Sequence, residues 1–183
     1  SKIGTDYKLF NYYGAKDAKH IIVAMGSACE TIEETIDFLN HNGASVGVVK
    51  VRLYRPFSKK ALLEAIPDSV EKISVLDRTK EPGAMGEPLY LDVVNALAEA
   101  MAGDEAPFEK IPKITGGRYG LSSKEFTPAM VKAVVDNMKQ EKAKNHFTVG
   151  IIDDVTNTSL DVDSNFRTEG DDVFRAMFYG LGS

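Results

Sequence analysis

The sequence predicts an α/β fold: an open, mostly parallel sheet in three layers, with helices on both faces. Three observations carry this. Residues 20–25 and 46–53 are short, nearly unbroken apolar runs rich in β-branched side chains, as in strands buried on both faces. Stretches with apolar residues at helical spacing follow such runs. Strand and helix then alternate along the chain, which calls for parallel pairing with right-handed crossovers.

The first strand is His20-Ile21-Ile22-Val23-Ala24-Met25, ending at Gly26. Ser27-Ala28-Cys29-Glu30 has the form of a capping box opening a helix, and Ile32, Ile36 and Leu39 continue its apolar stripe. His41-Asn42-Gly43 closes that helix, since asparagine and glycine accept the left-handed conformation of a helix end. Val46 to Leu53 form the second strand, and Tyr54-Arg55-Pro56-Phe57 follow, where proline halts the ladder. A short helix is expected over Lys59 to Ile66 and a strand over Lys72 to Leu76. After the loop from Asp77 to Glu87, Pro88 suits a first helical position, with Leu91, Val94, Leu97 and Ala98 on one face. Ile111 to Ile114 is a weaker strand, stopping before Gly116-Gly117. Thr127-Pro128 reads as an N-cap and first helical residue ahead of Met130, Val131, Val134, Val135 and Met138, and His146 to Ile152 is the last strand.

The polar stretch beyond Asp153-Asp154, as far as Asp172, reads as a linker or extended surface segment. Val173 to Tyr179 is apolar again, and Gly180-Leu181-Gly182-Ser183 follows like a glycine loop after a strand, an ordinary C-terminal strand being the alternative. The domain reading is therefore a lead-in over 1–19, one α/β domain over 20–152, and a linker with the truncated start of a following domain over 153–183.

Composition excludes several function classes. At 43% hydrophobic and 27% charged residues the chain is of ordinary globular type. Its net charge of −5 argues against nucleic acid as a partner, because binding to phosphate backbones is driven by excess Lys and Arg. No apolar run approaches the roughly 20 residues that span a bilayer, and Ser1 to Asp6 lack the apolar middle of a signal peptide, so no membrane association and a cytoplasmic location are expected. The single cysteine, Cys29, rules out an intrachain disulfide and the thiolate set of an iron–sulfur cluster. His20, His41 and His146 lack metal-ligand spacing.

The candidate site residues fall at predicted strand ends, where open α/β sheets place ligands. Gly26-Ser27 and the stretch from Gly83 to Gly86 each follow a strand, but neither is a dinucleotide or P-loop motif, so tight turns are the first reading and ligand contact the second. Arg52, Arg55, Arg78, Lys80 and Arg118 could clamp a carboxylate or phosphate. The preferred reading gives them to interdomain ion pairs, while Asp77-Arg78 and Lys80-Glu81 could simply pair locally in solvent. Cys29 near a helix start could be an activated thiol, but a buried, inert one is preferred. Asp153-Asp154 reads as a solvated turn. No catalytic, cofactor-binding or metal-ligating residue is assigned.

Several long stretches carry a resemblance: Ile22-Val23-Ala24-Met25-Gly26-Ser27 with Cys29-Glu30-Thr31-Ile32-Glu33-Glu34-Thr35, Val48 to Phe57, Leu76 to Gly83, Gly117 to Phe126, and His146 to Ile151 with Asp153-Asp154-Val155-Thr156. Together they resemble pyruvate:ferredoxin (flavodoxin) oxidoreductase, in the second domain, which is similar to the C-terminal domain of transketolase. The resemblance implies a parent enzyme, homodimeric, that decarboxylates pyruvate oxidatively on thiamine diphosphate with Mg2+. Such an enzyme passes electrons through [4Fe-4S] clusters to ferredoxin or flavodoxin and transfers the acetyl group to coenzyme A. It also implies that the cofactors lie in other domains. Gly103-Asp104-Glu105 and Gly170-Asp171-Asp172 miss the second glycine of a thiamine motif, in keeping with that. The expected role is structural docking between domains, with no activity alone. The alternatives are a coenzyme A or phosphate module around Gly26, Ser27, Arg55 and Gly83 to Gly86, or the equivalent domain of another thiamine-dependent enzyme.

Overall fold

A computed structural model describes residues 4, 7–121, 124–153, 155–170, 172–174 and 176–180. Among them, six strands and four helices run in the order β1 (Phe10–Gly14), β2 (His20–Met25), α1 (Ala28–His41), β3 (Val46–Val51), α2 (Lys59–Ala65), β4 (Lys72–Asp77), α3 (Pro88–Ala102), β5 (Lys113–Tyr119), α4 (Pro128–Lys139) and β6 (Phe147–Val149). The strands make one sheet, ordered β1-β3-β2-β4-β5-β6. All neighbours are parallel except β1, which runs antiparallel to β3 from Phe10 opposite Val51 to Gly14 opposite Gly47.

Because side chains alternate across a strand, each central strand feeds both faces. Ile22, Ala24, Val48 and Leu76 face α1 and α4, where Ile32, Ile36, Val131, Val134 and Met138 complete one core. Ile21, Val23, Val49, Val51, Ile73 and Val75 face α2 and α3, where Leu62, Leu89, Val93 and Leu97 complete the other. The expected layering is thus present. The handedness is not uniform. α1 and α4 share a face, yet β2→β3 and β5→β6 step across the sheet in opposite directions, so the β5→β6 crossover has the opposite hand to the other three. The apolar stripe of α4 finds its cover against α1, and that packing outweighs the usual bias.

Several elements differ from the sequence reading. β1 lies within the stretch read as a lead-in: Phe-Asn-Tyr-Tyr-Gly has no apolar run to announce it, and it is held by pairing to β3 and by burial of Phe10. β5 continues through Gly116 and Gly117 to Tyr119 instead of stopping before them. Those glycines are not a turn. A Cβ at Gly116 would meet the Tyr90 ring and one at Gly117 the Phe147 ring, so the pair lets an aromatic lie on each face of the strand. β6 is three residues long and does not reach Ile152, because Gly150 turns the chain at φ +70° and Thr148 Oγ1 donates to Ile151 O at 2.8 Å. The capping box at Ser27 does not form: Ser27 is itself helical and its hydroxyl makes no cap bond. Ser58 does cap α2, accepting from Ala61 N at 3.3 Å.

Beyond β6 the chain does not leave the domain at once. Ser159 forms a parallel bridge with Thr148, and Leu160, Val162 and Phe166 pack on the α1–α4 core, with Phe166 edge-on to Phe38 at 5.5 Å. The polar stretch is therefore an extended surface strap. The described residues of 173–180 form no strand, and Phe174, Phe178 and Tyr179 are exposed. Asp154, Asp171 and Leu181-Gly182-Ser183 lie outside the described residues.

Candidate functional site at the carboxyl rim of the sheet

The chain steps from β2 to β3 on one side and then back past β2 to β4, so the strand order reverses at β2. In sheets of this kind the crevice for a ligand opens outside the carboxyl ends of the strands flanking that point. The rim is built from Gly26-Ser27 after β2, Arg52 after β3, Asp77-Arg78 at the end of β4, and Arg118 near the end of β5.

Gly26 has φ +74° and open space around a would-be Cβ, so it is there for the left-handed turn into α1 and not for a close neighbour. Gly26, Ser27 and Arg52 line one cleft of about 390 Å³ together with Cys29, Glu30, Glu33, Lys50 and Val51. Inside it Lys50 and Glu33 form an ion pair. Cys29 is 7% exposed, and burial pushes its thiol up despite Lys50 and Arg52, which pull it down. A thiol so held is a poor nucleophile at neutral pH.

The remaining candidates do not line that cleft. Arg55 lies over the Tyr54 ring, 3.9 Å from its centroid, and pairs with Asp92 Oδ2 at 2.8 Å. Tyr54 Oη donates to the same carboxylate at 2.6 Å, and burial first, then Asp92, raises its pKa to about 12. Arg118 is paired with Glu87 Oε1 at 3.0 Å, with both side chains largely buried. Arg78 Nε donates to Gly120 O at 2.8 Å, tying β4 to the end of β5. Lys80 is exposed on the β4–α3 loop. In that loop Gly83 takes φ +85°, and Gly86 is buried beneath Tyr90.

Asp77 is the residue the sequence reading placed wrongly, as a partner of Arg78 in solvent. It is 4% exposed and points into the start of α3, where Oδ1 accepts from Leu89 N at 3.0 Å and Oδ2 from Tyr90 N at 3.1 Å. Those amides are unpaired at any helix start, and no cap comes from Glu87, which occupies the N-cap position. Burial raises the Asp77 carboxyl, the two amides oppose that, and Glu87 and Asp92 add to it. The only hint in the sequence was an aspartate closing a buried strand ahead of a proline-led helix. Asp153 likewise closes a turn, accepting from Val155 N at 3.0 Å and Thr156 N at 3.1 Å and from the Thr156 hydroxyl; these bonds, the hydroxyl first, lower it to about 2.

Comparison with known proteins gives the chain its family. Residues 18–123 match the family model described as pyruvate:ferredoxin oxidoreductase core domain II. The pyruvate-flavodoxin oxidoreductase of Nostoc sp. is 58% identical, over 100% of this chain and 16% of that protein. The pyruvate:ferredoxin oxidoreductase of Moorella thermoacetica is 54% identical over 98% of this chain and 15% of that protein. A solved 2-oxoglutarate:ferredoxin oxidoreductase from Magnetococcus marinus, with 2-oxoglutarate, coenzyme A and succinyl-CoA bound, aligns with 73% of this chain and 20% of its own at a TM-score of 0.47 and 17% identity. The chain thus spans about one sixth of the length of the curated relatives it matches. On the family-model match and an identity above one half sustained from end to end, the chain belongs to the pyruvate:ferredoxin oxidoreductase family, as its core domain II.

Proposed function

We propose that this chain is the docking domain of a cytoplasmic, homodimeric enzyme that oxidatively decarboxylates pyruvate to acetyl-CoA and CO2 and reduces ferredoxin or flavodoxin. The domain holds its neighbours in place and does no chemistry of its own. One observation carries the reading: at the rim where a ligand would bind, Arg55, Arg78 and Arg118 are already bonded to Asp92, Gly120 O and Glu87 of the same chain. These side chains brace the rim, and an incoming carboxylate or phosphate would have to displace those partners.

The residues present do not fit the cofactors of such an enzyme. A [4Fe-4S] cluster takes about four thiolates, and Cys29 is alone and buried. Gly103-Asp104-Glu105 closes the end of α3, with Glu105 N donating to Ala100 O at 2.8 Å, and so makes no cradle for a diphosphate. Thiamine diphosphate, Mg2+ and the clusters belong, on this proposal, to polypeptide outside these residues. No helix among the described residues is long and apolar enough to cross a membrane.

The test is a pair of measurements on the purified chain. Pyruvate with coenzyme A and a viologen acceptor should give no reduction, and calorimetric titration with coenzyme A or phosphate should give no heat. Pyruvate-dependent acceptor reduction by the chain alone, or coenzyme A binding at about micromolar Kd or tighter, would overturn the docking role.

A further inference from the structure

Outside the tail at 173–179, and apart from Tyr7 ahead of β1 at 82%, the large apolar side chains most open to solvent among the described residues lie in loops that follow strands, joined there by Leu53. Leu53, after β3, is 45% exposed; Met85, in the β4–α3 loop, 89%; and Ile152, after β6, 92%. The opposite rim shows only Tyr13 and Ile111, at 37% and 46%. Large apolar side chains left open along one edge of a sheet are candidates for cover by a partner. Arg52, after β3, and Lys80, in the β4–α3 loop, are both exposed and without an ion pair among the described residues, whereas Arg55 and Arg118 are neutralised internally. An apolar centre with arginine at hand is the composition of a protein–protein interface.

We propose that the carboxyl rim is the docking face, and that it is covered by another stretch of the same enzyme's polypeptide. That stretch brings apolar side chains to Leu53, Met85 and Ile152, and carboxylates to Arg52 and Lys80. The inference rests on the docking role above. Two facts point to this occupant. Relatives run to about six times the length of this chain, so polypeptide is at hand at high effective concentration. Arg52 and Lys80, exposed on this rim without an ion pair among the described residues, also call for acidic groups on the covering stretch.

Methionine oxidation tests it, because the chain carries its own standards: Met85 in open solvent and Met138, 1% exposed, in the core. Both the 183-residue chain and the complete enzyme are treated with dilute peroxide, and sulfoxide formation is followed by peptide mass spectrometry. In the chain alone Met85 should oxidise as fast as in urea. In the complete enzyme it should fall to the rate of Met138, and Arg52→Glu should restore fast oxidation at Met85 while Met138 stays slow. Equal Met85 rates in the chain and in a pyruvate-oxidising enzyme would overturn the docking face while leaving the docking role standing. Protection of Met85 in the chain alone that grows with concentration would instead make a second copy the occupant. An unmoved Met85 in Arg52→Glu would remove the carboxylate partner. A complete enzyme that protects Met85 but does not oxidise pyruvate would overturn the proposed activity alone.

Discussion

Asp77→Ala should be among the most damaging changes at the rim, although Asp77 is a short polar residue at a strand end. It leaves Leu89 N and Tyr90 N without an acceptor, and Leu89 is fully buried, so water cannot replace the carboxylate at that amide. An unsatisfied buried donor costs about 1–3 kcal/mol and loss of an N-cap about 0.5–2 kcal/mol. Part of this is offset, because the substitution also relieves the burial of a carboxylate whose pKa stands above its ordinary 3.8. A net loss of about 2–3 kcal/mol follows, which for a chain of this size lowers Tm by roughly 4–12 °C. Urea unfolding followed by circular dichroism measures it directly. The pH dependence gives a second readout. A raised folded pKa means that the contribution of this group is fully present below pH 3.8 and is lost as pH rises through the folded value. Asp77→Asn removes that titration, so the stability gap between the native chain and Asp77→Asn should narrow as pH rises above 3.8. An Asp77→Ala chain within about 0.5 kcal/mol of the native chain would refute the capping argument, whereas a gap that widens with pH would show that the Leu89 and Tyr90 amides outweigh burial at this carboxyl.

Gly117→Ala should cost about 1–3 kcal/mol by overpacking, since its Cβ would overlap the Phe147 ring; Gly83→Ala, with open space around it, should cost less despite φ +85°, and thermal unfolding ranks the two. Arg118→Met alone should destabilise by about 3–5 kcal/mol by leaving Glu87 buried without its partner, whereas Arg118→Met with Glu87→Leu should recover most of that loss in a double-mutant cycle. Acidification should release the turn at Asp153: its lowered pKa means that the turn is held above the ordinary value of 3.8 and lost as pH falls through about 2. The amide shifts of Val155 and Thr156 should titrate together in that window and lose the transition in Asp153→Ala.

The site residues singled out from sequence divide along a physical line. Gly26, Ser27 and Arg52 share a cleft because they follow neighbouring parallel strands, and their position after apolar runs could be read from the chain. The partners of Arg55 and Arg118 could not: Asp92 lies in α3 and Glu87 at its start, and nothing local in sequence ties either to its arginine. Asp77 was misjudged for the same reason. A carboxylate next to an arginine looks like a solvent pair until the fold shows which way it turns.

What the sequence determined by itself is whatever depends on period and on local backbone chemistry. Buried parallel strands write continuous apolar runs, and helices write stripes, Pro88 and Pro128 at first positions, and Gly43 at an end. Tertiary structure alone decided whatever depends on a surface supplied from far along the chain. β1 is a strand because β3 offers it a ladder, Gly116 and Gly117 stay inside β5 because Tyr90 and Phe147 need their space, and the polar strap is held because Leu160 and Phe166 find the α1–α4 core. Each of these choices is made by packing against a distant partner, and a partner of that kind leaves no period in the segment it fixes.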